Sequence, residues 1–147
     1  MMQRKIEYRQ QGGFTLIEIM VVVVILGILA AAIVPRLTEA PAEARKKMAR
    51  TNINTIMTQL ELYKMHNFNY PSTDQGLQSL VSKPAGSPEP RNWQQGGYLN
   101  KLPKDPWGNE YQYLNPGVNA EIDVFSLGAD GRPGGEGEAA DIGNWQD

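Results

Sequence analysis

The sequence predicts an α+β fold: a long N-terminal α-helix whose first half spans a membrane, packed through its second half on a small C-terminal antiparallel β-sheet. Three observations carry that expectation. Residues 14–34 (FTLIEIMVVVVILGILAAAIV) form an almost unbroken apolar run. The stretch after it repeats apolar positions at helical spacing,. Residues 110–114 and 121–127 alternate apolar and polar on either side of Asn115-Pro116-Gly117, the pattern of two strands joined by a turn,.

At about 1.5 Å of rise per residue the apolar run extends roughly 30 Å, the thickness of a bilayer's hydrocarbon core, so as a helix it can cross a membrane. Arg4, Lys5 and Arg9 precede it. Positive charge beside an apolar span keeps the N-terminus cytoplasmic and exports the remainder. Glu18 is the one acid in the run, and no base accompanies it. A carboxylate in hydrocarbon costs a few kcal/mol unless a partner neutralises it. Its partner is therefore water, a headgroup or a cation on another chain. A cut after Gly13 would make such a cation of the Phe14 α-amino group, and one subunit's amine would then neutralise its neighbour's Glu18. Two plainer readings stay open: a secretory signal cleaved near Ala30-Ala31-Ala32, and a simple anchor with Glu18 near the interface.

Pro35 is expected to end or kink this helix, and Pro41 to begin a fresh turn. From there Ile53, Ile56, Met57, Leu60 and Tyr63 recur at three- and four-residue steps and form the apolar face of an amphipathic helix,. Arg45, Lys46, Lys47 and Arg50 lie on its other side, as a solvated face or as partners for acids of another subunit,. After Asn69-Tyr70-Pro71, Ser72 or Thr73 is placed to cap a short helix through Leu77, Leu80 and Val81. Residues 83–97 (KPAGSPEPRNWQQGG) read as a loop tucked down by Trp93,. The strand pair follows, with Ile142 and Trp145 as candidates for a third strand or bridge.

A chain of 147 residues has room for one small domain beside the apolar helix,. Its 16 acids and 14 bases give a net charge of −2; removing Arg4, Lys5, Glu7 and Arg9 with a leader takes away +2 and leaves −4, which does not favour nucleic acid,. There is no cysteine. A small exported domain without disulfides needs another staple, and a bound metal is the natural one.

The tail SLGADGRPGGEGEAADIGNW places Asp130 and Asp141 at the two ends of a glycine-rich loop, with Glu136 and Glu138 between them. Calcium takes six to eight oxygens, and glycines let a loop turn its carbonyls inward. Asp130 and Asp141 stand where the first and last ligands of an EF-hand would be, yet Arg132 and Gly134 occupy donor positions, so the loop is not an EF-hand. From the residues alone it is either a metal loop or a solvated acidic one. An enzyme finds little material: one histidine (His66) and no cysteine. Asp105 with Glu110 is the remaining acid pair of glycosidase type, set among turn residues rather than a cleft.

The segment RQQGGFTLIEIMVVVVILGILAAAIVP resembles the leader, processing site and first helix of type IV pilins and pseudopilins. YPSTDQGLQSLVSKP and GYLNKLPKDPWGNEYQYLNPG extend the resemblance over nearly the whole chain, to the major pseudopilins of type II secretion systems. The missing disulfide separates it from ordinary type IV pilins. The resemblance implies a type IV pilin-like fold, with a leader (1–13) that a prepilin peptidase removes after Gly13 before methylating Phe14. It implies a membrane and filament-core helix (14–34) in which Glu18 serves assembly, and a periplasmic domain (35–147). It also implies a calcium loop (127–142) with the Leu127 carbonyl and the Asp130 and Asp141 carboxylates as ligands. The function implied is structural: an inner-membrane subunit that polymerises into a periplasmic pseudopilus driving secretion of folded proteins. Its partners would be copies of itself, minor pseudopilins and inner-membrane assembly proteins. A pilus for adhesion, motility or DNA uptake is the alternative.

Overall fold

The computed structural model describes residues 13–146, with side chains at 31–40 outside the described set. The expected leader, except Gly13, therefore lies outside the described residues. The chain divides into two compact units, one ending at Glu39 and the other running Ala40–Asp147. Helix α1 (Leu16–Asn67) contributes to both. Neither Pro35 nor Pro41 ends it: the backbone remains helical through both, which removes the first of the two outcomes expected at Pro35. A proline removes one N–H donor from the ladder, and the turns around it still supply the remaining hydrogen bonds.

In the second unit α1 presents Ala49, Ile53, Ile56, Leu60 and Tyr63, each at most 1% exposed. Burying an Ile or Leu contributes about 1.5–3 kcal/mol, so the stripe read from the sequence supplies the principal face of the core. Met57 is only partly buried at its margin. The helix closes with Phe68 at φ 68°, its N–H donating to the Lys64 carbonyl at 2.7 Å, a left-handed cap,. Buried Asn67 fastens that end, donating to the Tyr63 carbonyl and the Tyr98 hydroxyl, both at 3.0 Å.

The short second helix is a 3-10 turn, η1 (Leu77–Leu80), begun at Gly76 without a side-chain cap. Ser72 caps the turn before it: its hydroxyl accepts the Gln75 N–H at 3.2 Å while the Gln75 side chain accepts the Ser72 N–H at 3.0 Å. Trp93 does hold the loop down, donating Nε1–H to the Ser79 carbonyl at 2.9 Å.

The sheet has three antiparallel strands in the order β1 (Gln112–Leu114), β2 (Asp123–Ser126), β3 (Ile142–Gly143). Tyr113 faces Val124 across the hairpin. Both hairpin strands are shorter than their alternation suggested. Glu110 pairs with Lys104 instead of extending β1. Residues 118–120 bind the Asp123 carboxylate, so the chain is still turning at Glu121. Trp145 lies outside β3 and packs its ring 5.7 Å from that of Phe125. Ile122, Val124 and Ile142 carry the sheet's side of the core.

Candidate functional site

Gly13 and Phe14 precede the helix without regular structure and are exposed, and a Cβ at Gly13 would meet nothing within 4 Å among the described residues. The junction is thus sterically open to another protein. Thr15 opens α1: its hydroxyl accepts the Glu18 N–H at 3.3 Å. Thr15-x-x-Glu18 has the spacing of a capping box, and a carboxylate in the first turn is favoured by the helix dipole,. Thr15 thus caps the helix through the Glu18 backbone N–H, and the Glu18 carboxylate stands in the first turn,.

From Phe14 (79% exposed) to Leu29 (51%) the large apolar side chains stand open to solvent. Such an exposed apolar surface requires a lipid or protein cover. Among the described residues no helix is long and apolar enough to cross a membrane, and the apolar run continues into 31–34, whose side chains lie outside them.

The C-terminal loop is built on β2. Gly128 turns the chain at φ 68°, where a Cβ would lie 2.7 Å from the Glu138 carbonyl oxygen, so only glycine fits,. Ala129 N–H donates to that same carbonyl at 2.8 Å and draws the two arms of the loop together. Exposed Asp130 accepts the Arg132 N–H at 3.1 Å. Asp141 Oδ2 accepts the Gly134 N–H at 2.9 Å, whereas its Oδ1 is buried without a hydrogen-bond partner among the described residues. No three acidic, histidine or cysteine side chains gather as a metal cluster among the described residues, so a cation here would draw mainly on carbonyls.

Glu138 is a tether: its carboxylate lies 2.7 Å from Arg45 of α1. The Arg45 hydrogen bond holds its carboxyl below the usual range, outweighing partial desolvation. The Trp107 indole N–H is buried without a well-formed hydrogen bond, yet lies near enough to favour the ionised form of Glu138. Of the basic cluster, Arg45 thus reaches an acid of its own chain, and Lys46 pairs with Glu43 at 3.1 Å.

Asp105, weighed from the sequence as a catalytic acid, is a buried turn residue. Its Oδ1 accepts the Trp107 and Asn109 N–H groups at 3.1 and 2.7 Å, and its Oδ2 accepts the Ser126 hydroxyl at 2.6 Å. Asp-Pro-Trp-Gly-Asn is the signature of an Asx turn, and that signal was available in the sequence. His66 lies 3.2 Å from the Tyr98 hydroxyl with its ring against that tyrosine, in a packing role.

Residues 36–145 match the family described as "Type II secretion system (T2SS), protein G", and residues 8–34 match the prokaryotic N-terminal methylation motif. A Pseudomonas aeruginosa protein named type II secretion system core protein G is 60% identical over 137 residues, covering 93% of this chain and 96% of that protein. Its Vibrio cholerae namesake is 59% identical over 137 residues, covering 93% of each. The crystal structure of the major pseudopilin from the type 2 secretion system of enterohaemorrhagic Escherichia coli is similar at a TM-score of 0.69 and 46% identity, over 76% of this chain and 95% of that one.

Proposed function

The chain belongs to the type II secretion system protein G family, that of the major pseudopilins, and from that membership we propose how its described parts serve a filament. Its function is structural: it is a pseudopilin subunit of the secretion system, and the family's role is non-enzymatic. The alternative of a pilus for adhesion, motility or DNA uptake gives way to this family. The observation that carries the filament reading is the row of apolar side chains exposed from Phe14 to Leu29, a surface that neighbouring helices or lipid would cover.

Before assembly the apolar helix anchors the subunit in the inner membrane, with the domain in the periplasm. A prepilin peptidase cuts after Gly13, and Phe14 becomes the methylated terminus. Bundled helices then form the filament core. There an unpaired Glu18 is costly in low dielectric, and a neighbour's Phe14 amine that neutralises it also selects the stagger between subunits. Copies of the chain, minor pseudopilins and inner-membrane assembly proteins are its partners. Support comes from the open Gly13-Phe14 junction and from the motif match over residues 8–34.

We also propose that the loop over 127–142 holds calcium through the Leu127 carbonyl and the Asp130 and Asp141 carboxylates, with further carbonyls completing the shell. The buried, partnerless Asp141 Oδ1 supports a cation there, because an unsatisfied buried carboxylate oxygen is costly,. Bound calcium would supply the cross-link that a cysteine-free domain lacks,.

Electron microscopy of cells overproducing the full chain with its secretion machinery tests the filament reading. Wild type is expected to give filaments and Glu18→Ala to give none at equal subunit levels. Equal filament yields would overturn the role of Glu18.

A further inference from the structure

We infer that Asp105 and Ser126 are positioning residues that aim the Leu127 carbonyl into the C-terminal loop. The inference rests on the calcium reading above and deepens it. Ser126 is fully buried at the end of β2, and Asp105 is 5% exposed. The Ser126 hydroxyl donates to Asp105 Oδ2 at 2.6 Å and in turn accepts the Gly128 N–H at 3.1 Å. That amide shares a peptide plane with the Leu127 carbonyl. The bond is trans, so its N–H and C=O point in opposite directions,. Fixing the Gly128 N–H on Ser126 therefore turns the Leu127 carbonyl away from the buried network.

The next peptide plane is held as well. The Gly128 carbonyl accepts Asn109 Nδ2–H at 3.1 Å, and the Ala129 N–H is taken by the Glu138 carbonyl. Asn109 is placed by the same Asp105, whose Oδ1 accepts its backbone N–H at 2.7 Å. One buried carboxylate thus governs both ends of Gly128 through two different side chains. Through Asn109 the Gly128 carbonyl is occupied, and among the described residues no hydrogen bond takes that of Leu127. A residue that orients a donor from behind shifts metal affinity by about 10–100-fold when removed.

The test uses the full chain in detergent, with calcium titrated by calorimetry and amide hydrogen exchange followed in a chelator. Ser126→Ala is expected to weaken calcium binding at least about tenfold and to abolish protection of the Gly128 amide even without the ion. Asp105→Asn, which keeps the size of the side chain but replaces the oxygen that accepts the Ser126 hydroxyl, is expected to weaken calcium binding and to reduce protection of the Gly128 amide in chelator, and it carries the test should Ser126→Ala fail to fold. Wild-type affinity in Asp105→Asn, or in a folded Ser126→Ala, overturns the inference while leaving the calcium reading intact. Absence of calcium binding by the wild type overturns both.

Discussion

Arg45 Nη1 lies 2.7 Å from Glu138 Oε1, so the helix that carries the core also holds the far arm of the C-terminal loop. Both side chains are partly exposed, and such a pair is screened by salt. Glu138→Gln is expected to lower the melting temperature modestly at low ionic strength and much less at high salt. The folded carboxyl sits below its ordinary value of 4.5, so the pair's contribution is complete above that pH and fades as pH falls through the lowered value,. Melting curves at two salt concentrations and across acid pH check this; a salt-independent difference would contradict it.

Asp123 closes the β1–β2 turn from inside. Burial by itself would raise its carboxyl, but the N–H groups of Asn119, Val118 and Ala120 outweigh that and hold it below 3.8. Asp123→Ala would strand those donors and is expected to cost about 3 kcal/mol or more. The ionised form stabilises the fold above the unfolded value, and that stability is lost as pH falls through the folded one. Thermal melts from neutral to acid pH are therefore expected to fall less steeply at the acid end for Asp123→Asn than for wild type.

Calcium at a concentration a hundredfold above its dissociation constant would stabilise the domain by about 2.7 kcal/mol. Chelation is expected to lower the melting temperature of the wild type, and Asp130→Ala to remove that calcium-dependent part. A melting temperature indifferent to calcium would reduce the segment to an acidic loop.

The stripe from Ile53 to Tyr63 is legible in the sequence because burial on a helix follows its period. The hairpin is legible too, since Asn-Pro-Gly interrupts two alternating segments. The strand ends are not, because they depend on where Asp123 and Lys104 capture backbone from across the turn, contacts that alternation does not encode. Pro35 does not end the helix, because proline's local penalty is outweighed where the flanking residues favour helix,. Asp130 and Asp141 are visible as loop acids, whereas Glu138 becomes distinct from Glu136 only when α1 brings Arg45 to it. The turn around Asp105 is legible in the sequence, but its partner Ser126 is not, because it lies twenty-one residues away.

Under the proposed function, Glu18 is tolerated in an apolar core because processing gives each neighbour an amine at Phe14. The intact mass of subunits dissociated from assembled filaments tests it most directly. A chain that begins at Phe14 and carries one added methyl group is expected. Filaments whose subunits retain residues 1–13 would contradict it.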